Sequence, residues 1–387
     1  MKRSTDRILC THVGSLIRPP ELVACLRAID NGEYHDQRTY SDCLAASVAD
    51  IVREQSEAGI DIVSDGEFGK SASWSRYVME RLTGFEQRSG TGLDPGEVVA
   101  RGRDREQFAA FYAEYDKTQG FTGAKGNWAC VGPIVYTGHS SIQRDIGNFK
   151  AALKGVAVED AFMPAVAPAS VVPDVKNEYY PRDEDFIFAV AGALREEYRA
   201  IVDAGFLLQV DDAHLPIMYE HMVPPATLTD YRAWAEVRID ALNHALNGIP
   251  EDRVRYHICW GSWNAPHTAD VPLKEIVDLI LRVRAGAYAI EAANPRHEHE
   301  WCVWETVRLP AGKVLIPGVI SHVTNVVEHP ELVAQRIARF ASLVGPENII
   351  AGTDCGFAQG PYVQRVHPSI MWAKLRALVQ GAQLVHK

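Results

Sequence analysis

Short apolar runs recur along this chain, and each ends in polar or small residues and leads into a longer stretch with helical periodicity. Such a succession is typical of repeated βα units. Eight runs predict strands, at Ile8–Ser15, Asp61–Glu67, Ala161–Val166, Phe206–Asp211, Arg255–Cys259, Tyr288–Glu291, Val314–Gly318 and Ile349–Cys355. The last four begin roughly 30 residues apart, which is about one βαβ step. Runs such as VLIPGVI and NIIAG suit parallel strands that are buried on both faces.

Eight such units predict an α/β fold, a (β/α)8 TIM barrel with an N-terminal extension. Helices are expected between the strands, for example over Pro272–Ala285 and Pro330–Leu343. The segment from about Gly84 to Gly138 is rich in Gly, Arg and aromatic residues and does not fit the repeat. It is expected to be an excursion inserted after the second βα unit, with CVGPIVYTG as a hairpin. We predict a single catalytic domain over residues 1–387, and an open doubly wound sheet is the alternative.

Charge and composition exclude several classes of partner. The 39 Lys and Arg against 50 Asp and Glu give a formal charge of -11, and no basic run could follow a nucleic-acid backbone. Asp6 and Arg7 interrupt the start of the chain, and no apolar stretch approaches bilayer-spanning length. We therefore expect a cytoplasmic protein without nucleic-acid or membrane partners. The seven cysteines are far apart, which favours metal binding or thiol chemistry over disulfides.

The strongest local signal is HICWG, in which His257 and Cys259 stand two residues apart on a predicted strand. Strand alternation directs both side chains to one face. Two later predicted strands end in Glu291 and Cys355, and the carboxyl ends of barrel strands are where active sites are built. Two thiolates, an imidazole and a carboxylate form a suitable tetrahedral set for Zn²⁺.

Each of these residues taken alone has a plainer interpretation. A buried cysteine is usually a small apolar residue, and a polar residue at a strand end often hydrogen-bonds a neighbouring loop. The following segment NPRHEHEW offers rivals to Glu291, although a loop of this composition is more often solvated. The rivals are His297, Glu298, His299 and Glu300.

At this set the sequence resembles the catalytic barrel of cobalamin-independent methionine synthase and its relatives, including epoxyalkane:coenzyme M transferases. The matching segments are THVGSLIRP, DGEFGK, LLQVDDAHLP, HICWG, YAIEAA, IPGVISH and GTDCGF. The resemblance implies that His257, Cys259, Glu291 and Cys355 are zinc ligands. Full-length methionine synthases carry two barrels, and the chain resembles only the second, catalytic one.

The resemblance also implies where the acceptor binds. Ser15 in HVGSL matches the loop that holds the acceptor's carboxylate, while Glu67 and Asp211 match the acidic pair that receives its ammonium group. Both acids fall at predicted strand ends. Asp65 and Asp212 compete for the same roles, and the residue that points into the barrel mouth is favoured.

His322 in IPGVISHVTN resembles the family's proton-donating histidine, and an imidazole can protonate a leaving nitrogen or oxygen near neutral pH. His12 and His214 are alternatives at other strand ends. Three tryptophans near the predicted barrel mouth could stack on a flat substrate, although aromatic residues there more often pack. They are Trp74, Trp260 and Trp263.

The first functional hypothesis is a zinc-dependent S-methyltransferase that transfers a methyl group from methyl-folate or a methyl-corrinoid protein to homocysteine, forming methionine. The alternative is epoxide opening or dealkylation with coenzyme M or another small thiol as acceptor. A sulfonate would prefer cations such as Arg18, Arg76 or Arg296 over paired acids. A metallohydrolase and a uroporphyrinogen-decarboxylase-like barrel rank lower, because two thiolate ligands make zinc a poorer acid for water and the decarboxylase needs no metal.

Overall fold

A computed structural model describes residues 1–33, 36–88, 101–118, 128–173 and 175–385. These residues contain eleven strands. In chain order they are β1 (Leu9–Cys10), β2 (Ile62–Ser64), β3 (Phe85–Gln87), β4 (Trp128–Cys130), β5 (Asp160–Val166), β6 (Val175–Asn177), β7 (Leu207–Asp211), β8 (Val254–His257), β9 (Ala287–Glu291), β10 (Val314–Ile320) and β11 (Ile350–Thr353).

Eight of these strands form one parallel sheet in the order β1-β11-β10-β9-β8-β7-β5-β2. A parallel bridge between Thr11 and Ile62 joins the first and last members, so the sheet closes into a barrel. Every residue of the eight strands except Asp160 is buried. The predicted TIM barrel is confirmed, and the open doubly wound sheet is excluded. Each predicted strand coincides with an observed one, although most are shorter than predicted.

Helices alternate with the barrel strands over much of the chain. They are α1 (Pro20–Asp30), α2 (Gln37–Glu57), α3 (Arg103–Gln107), α4 (Ala109–Thr118), α5 (His139–Ala152), α6 (Asp183–Asp203), α7 (His214–Met222), α8 (Leu228–Ala245), α9 (Val277–Ile280), α10 (Pro330–Val344) and α11 (Pro368–Leu384). Proline opens α1, α10 and α11, where its missing N–H costs no hydrogen bond. None of the described helices combines the length and the apolar character that a membrane crossing requires.

One predicted helix is wrong. Over Pro272–Ala285 the structure has a 3-10 turn at Leu273–Glu275 and the single turn of α9. Ile276 separates the two with a non-helical φ of -132°. The Arg232 guanidinium donates to the carbonyl of Glu275, and the Tyr288 hydroxyl donates to that of Leu281 at 3.3 Å, two acceptors that a helix continuing to Ala285 would use internally. The predicted Pro330 helix is observed almost as expected.

The excursion lies over the carboxyl end of the barrel. Its β3 pairs antiparallel with β4, and β4 pairs with β6, so a small three-stranded sheet stands outside the barrel. At its other end α3 docks on the loop after β8, because Asp104 accepts a hydrogen bond from the backbone N–H of Thr268 at 2.9 Å. Residues 89–100 and 119–127 of the predicted 84–138 insertion lie outside the described residues.

Candidate active site

A pocket opens where the carboxyl ends of several barrel strands meet. Six of the eight residues expected to form the site line this pocket: Ser15, Glu67, Asp211, His257, Cys259 and Cys355. The other two, Glu291 and His322, are buried behind its wall. The pocket lies at the end of the barrel where parallel strands of this fold carry functional groups.

His257, Cys259 and Cys355 form a compact cluster at the base of this pocket. His257 is the last residue of β8, Cys259 follows two positions later, and Cys355 lies two residues beyond the end of β11. One candidate ligand atom from each residue lies within 4.8 Å of the others, and the two sulfur atoms are 3.7 Å apart. The strand spacing read from HICWG therefore brings together three of the four predicted metal ligands.

The chemistry of these donors fits a divalent metal. Neither ring nitrogen of buried His257 makes a hydrogen bond of normal geometry among the described residues, and the backbone of Ala289 is the polar group beside the ring. Burial lowers the pKa of His257 to about 3, so the imidazole is in the neutral form that binds metal. The hydrogen bond with Cys355, together with burial, holds the pKa of the Cys259 thiol well above its usual range. A bound cation would satisfy the orphaned nitrogen and stabilise both thiolates.

Glu291, the fourth predicted ligand, ends β9 and lies beside the cluster rather than within it. Its Oε1 accepts the backbone N–H of Trp260 at 2.8 Å, and its Oε2 accepts the side-chain amide of Asn294 at 2.9 Å. The carboxylate is close enough to contribute to the raised pKa of Cys259. Both oxygens are engaged, so Glu291 stands as a neighbour of the three donors in this structure.

The rivals to Glu291 in NPRHEHEW lie apart from the cluster. His297 and Glu300 are buried and bonded to each other, with His297 Nδ1 and Glu300 Oε2 2.8 Å apart. Glu298 pairs with Arg336 at 2.9 Å, and His299 is exposed. His297 and Glu300 are therefore part of the buried structure, and the expectation that this loop is simply solvated is wrong for these two residues.

A buried chain of hydrogen bonds behind the cluster was missed from the sequence. Asp270 Oδ2 accepts from His267 Nδ1 and from His297 Nε2, both at 3.0 Å. The Trp260 ring stacks on His297 with ring centroids 4.1 Å apart. Burial acts to lower both histidine pKa values, but hydrogen bonding to Asp270 prevails and raises the pKa to about 9 for His267 and about 10 for His297. Two imidazolium groups and a shared carboxylate thus brace the loops that follow β8 and β9.

Of the four candidate acidic residues, two line the pocket and two do not. Glu67 and Asp211 line the pocket, whereas the competitors Asp65 and Asp212 point elsewhere. Asp65 Oδ1 accepts the backbone N–H of Glu67 at 3.0 Å, and Asp212 accepts the hydroxyls of Ser170 and Tyr256. Burial and the nearby Glu67 hold the pKa of Asp211 well above its usual range.

Ser15 lies where the loops after β1 and β11 touch. Its carbonyl accepts the N–H of Phe357 at 2.9 Å, and the N–H of the next residue, Leu16, bonds the carbonyl of Gly66. A Cβ added at Gly356 would come within 1.9 Å of the Ser15 hydroxyl oxygen, so only glycine allows this approach. Backbone hydrogen bonds between three strand-end loops thus hold Ser15 at the pocket wall.

The three candidate histidines have different surroundings. His322 is buried, and burial holds its pKa well below the usual value; Arg365 and His257 add to the effect, while the backbone of Ser262 opposes it. His12 is structural, because its Nε2 bonds Gln55 and its Nδ1 accepts from the N–H of Gly14. His214 lines the pocket, with its ring 5.9 Å from that of Trp74.

Two of the three candidate tryptophans line the pocket, and the third is buried away from it. Trp74 and Trp263 line the pocket, whereas Trp260 is buried, and its indole N–H donates to the carbonyl of Val271 at 2.7 Å. Of the arginines considered for a sulfonate, Arg18, Arg76 and Arg296, none lines the pocket within the described residues.

Two cationic residues near the site, Lys70 and Arg365, were not singled out from the sequence. Lys70 pairs with Glu67 at 2.7 Å. Arg365 Nε donates to the side chain of Gln359 at 2.6 Å, and burial lowers its pKa while Cys355 and Cys259 oppose the shift. Lys70 stands within the DGEFGK segment itself, so its spacing of three from Glu67 was the available clue.

Comparison with known proteins gives a consistent result. No protein-family model matches the chain. The chain is 22% identical over 378 residues to a methionine synthase of Thermococcus kodakarensis, covering 97% of this chain and 92% of that protein. It is 24% identical over 370 residues to 2-hydroxypropyl-CoM lyase of Xanthobacter autotrophicus, covering 89% and 85%. The fold matches a B12-independent methionine synthase of Shewanella sp. with a TM-score of 0.72 and 18% identity, over 98% and 97% of the two chains.

Fold and site together define a (β/α)8 barrel with a His/Cys cluster that could hold a metal at the carboxyl end of its strands. Within that class, the curated relatives confirm the resemblance drawn from the motifs. The chain is similar in sequence to methionine synthases and to a 2-hydroxypropyl-CoM lyase, and its fold is that of a B12-independent methionine synthase.

Proposed function

We propose that this protein is a zinc-dependent thiol alkyltransferase that transfers a methyl group to the sulfur of homocysteine and forms methionine. The observation that carries the proposal is the pairing, in one pocket, of the His257, Cys259 and Cys355 cluster with Glu67 and Asp211. The cluster supports binding of a soft metal, and the two acids support recognition of an ammonium group.

In this proposal His257, Cys259 and Cys355 hold the metal, with Glu291 available to join them. Zinc bound there would lower the pKa of an acceptor thiol, so that it reacts as the thiolate at neutral pH. Ser15 receives the carboxylate of the acceptor, and Glu67 and Asp211 receive its ammonium group. These contacts fix the acceptor sulfur beside the donor residues.

His322 is proposed as the group that moves the proton. Its buried ring is neutral at rest, so it can accept the proton that the acceptor thiol loses and later deliver it to the leaving nitrogen or oxygen of the alkyl donor. The proton count then balances within the site. The donor is proposed to be methyl-folate or a methyl-corrinoid protein.

The second candidate is alkylation of coenzyme M or a similar anionic thiol, and similarity to 2-hydroxypropyl-CoM lyase favours it. The walls of the pocket oppose it, because they present Glu67 and Asp211, and none of the three arginines considered for a sulfonate lines the pocket in the described chain. Acceptor choice is therefore the test that separates the two.

The experiment measures metal content of the wild type and of Cys259→Ser, with Cys43→Ser as a matched control far from the cluster in sequence. About one zinc per chain is expected in wild type and control, with loss in Cys259→Ser. Titration of cobalt-substituted protein with homocysteine and with coenzyme M then identifies the acceptor. A wild type without zinc, or a metal spectrum that ignores every thiol, would contradict the proposal and favour a decarboxylase-like or hydrolytic barrel.

A further inference from the structure

Lys70 forms a buried ion pair in the wall of the acceptor pocket. Its Nζ lies 2.7 Å from Oε2 of Glu67, and the side chains are only 8% and 5% exposed. The pair uses one oxygen of a carboxylate that also lines the pocket. Such a pair fixes the position of the carboxylate more strongly than a solvated contact would.

The second oxygen of Glu67 remains available. Among the described residues none donates a hydrogen bond to Oε1, and this oxygen lies beside Gly14, where an added Cβ would come within 2.9 Å of it. Glu67 itself has a φ of +63°, an uncommon backbone conformation for a residue with a side chain. The turn after β2 thus directs a single carboxylate oxygen toward the loop that carries Ser15.

The turn that carries both charges is itself braced. Arg18 Nη2 donates to the carbonyls of Glu67 and Lys70 at 2.6 Å and 2.9 Å. The N–H of Lys70 bonds the carbonyl of Glu67, and the Lys70 ammonium lies 4.6 Å from the centre of the Tyr77 ring. Lys70 is therefore committed to Glu67 and Tyr77, and it is not presented to a ligand in the pocket.

These contacts determine what charge the pocket offers. An anionic tail entering beside Glu67 would meet a free carboxylate oxygen and Asp211, and the lysine beside Glu67 is already paired with it. An ammonium group would meet one fixed oxygen at hydrogen-bonding range. A rigid, desolvated polar group of this kind discriminates strongly against a ligand that lacks its partner.

We propose that Lys70 is a specificity-determining residue of the acceptor subsite, which orients Glu67 so that the pocket selects a thiol bearing an ammonium group over a thiol with only an anionic tail. The inference rests on the proposed function and deepens it, because it specifies the acceptor as an amino-acid thiol. Lys70 is a positioning residue that acts through Glu67 and does not touch the acceptor.

The test compares three acceptors on cobalt-substituted protein: homocysteine, 4-mercaptobutyrate, which lacks the amino group, and coenzyme M. Dissociation constants come from the metal spectrum, so turnover is not needed. In wild type, homocysteine is expected to bind far more tightly than 4-mercaptobutyrate. In Lys70→Met this preference is expected to fall by about tenfold or more, because Glu67 loses the buried partner that fixes its orientation. Lys70→Arg retains the pairing charge and is expected to retain most of the preference.

A double-mutant cycle with Glu67→Gln separates positioning from general damage. If Lys70 acts through Glu67, adding Lys70→Met to Glu67→Gln leaves the remaining preference unchanged. Should Lys70→Met fold poorly, as judged by its metal content, Lys70→Gln supplies the same comparison. An unchanged preference in Lys70→Met and Lys70→Gln, or additive losses in the cycle, overturns the inference. A wild type that responds to no thiol refutes the proposed function instead, so the two failures are distinguishable.

Discussion

Replacing Asp270 by asparagine is expected to destabilise the protein strongly at pH 6 and much less at pH 10. Asp270 is the shared acceptor of His267 and His297, at 3.0 Å from each. Burial opposes the charged form of both rings, but hydrogen bonding to Asp270, joined at His297 by Glu300, prevails and raises the two histidine pKa values to about 9 and about 10. The same contacts outweigh burial in the other direction for Asp270 and lower its pKa.

The sign of the pH dependence follows from these shifts. A histidine whose pKa is raised by folding contributes stability that is fully present below its unfolded pKa of about 6.5 and is lost as the pH rises through the folded value. Removing one partner of a buried charged pair costs about 3–5 kcal/mol. The imidazoles of the variant can lose their protons, so we expect a cost of about 3 kcal/mol at pH 6. Near pH 10 mainly hydrogen bonds are lost, and the cost should approach about 1 kcal/mol.

The assay is urea unfolding of metal-free protein at both pH values, with the midpoint compared at constant slope. Asp278→Asn is the matched control, because Asp278 pairs with Arg232 at the surface, where its side chain is 60% exposed. An exposed pair of this kind is worth about 0–1 kcal/mol. A cost for Asp270→Asn that is equal at the two pH values, or no larger than that of the control at pH 6, would refute the reasoning.

Two further predictions concern folding stability. Glu197→Gln is expected to cost about 3 kcal/mol in urea unfolding, because buried Glu197 accepts hydrogen bonds from Arg81 and two tyrosines, and an unchanged midpoint would contradict this. Gly318→Ala should lower both the melting temperature and the metal content, since its Cβ would lie 2.5 Å from the backbone of Asp354, next to Cys355. Gly192→Ala is its control: nothing lies within 4 Å of the added Cβ in α6, so it should stabilise by about 0.5–1 kcal/mol, and matching losses in both variants would refute the steric argument.

Much of the barrel and its central cluster could be predicted from the sequence, because both depend on local periodicity. All eight predicted strands are observed, and two-residue alternation correctly brought His257 and Cys259 to one face. Cys355 joined them because the carboxyl ends of parallel strands meet at one end of a closed barrel. Local periodicity also misled: the apolar stretch after Pro272 has a helical pattern, yet it forms only short turns, and side chains of Arg232 and Tyr288 bond carbonyls that a helix would use internally.

By itself the sequence determined the fold, the two-residue spacing of the cluster and the small set of acids and histidines at the strand ends. Only the tertiary structure decided which of them face the pocket, because Asp212 directly follows Asp211, and Asp65 stands only two residues before Glu67, in a turn where Glu67 has a φ of +63°. It alone showed both oxygens of Glu291 engaged by Trp260 and Asn294. Periodicity reports which face of an element a side chain occupies. The hydrogen-bond partners of strand-end loops are set by contacts between residues far apart in the chain, and no local pattern encodes those contacts.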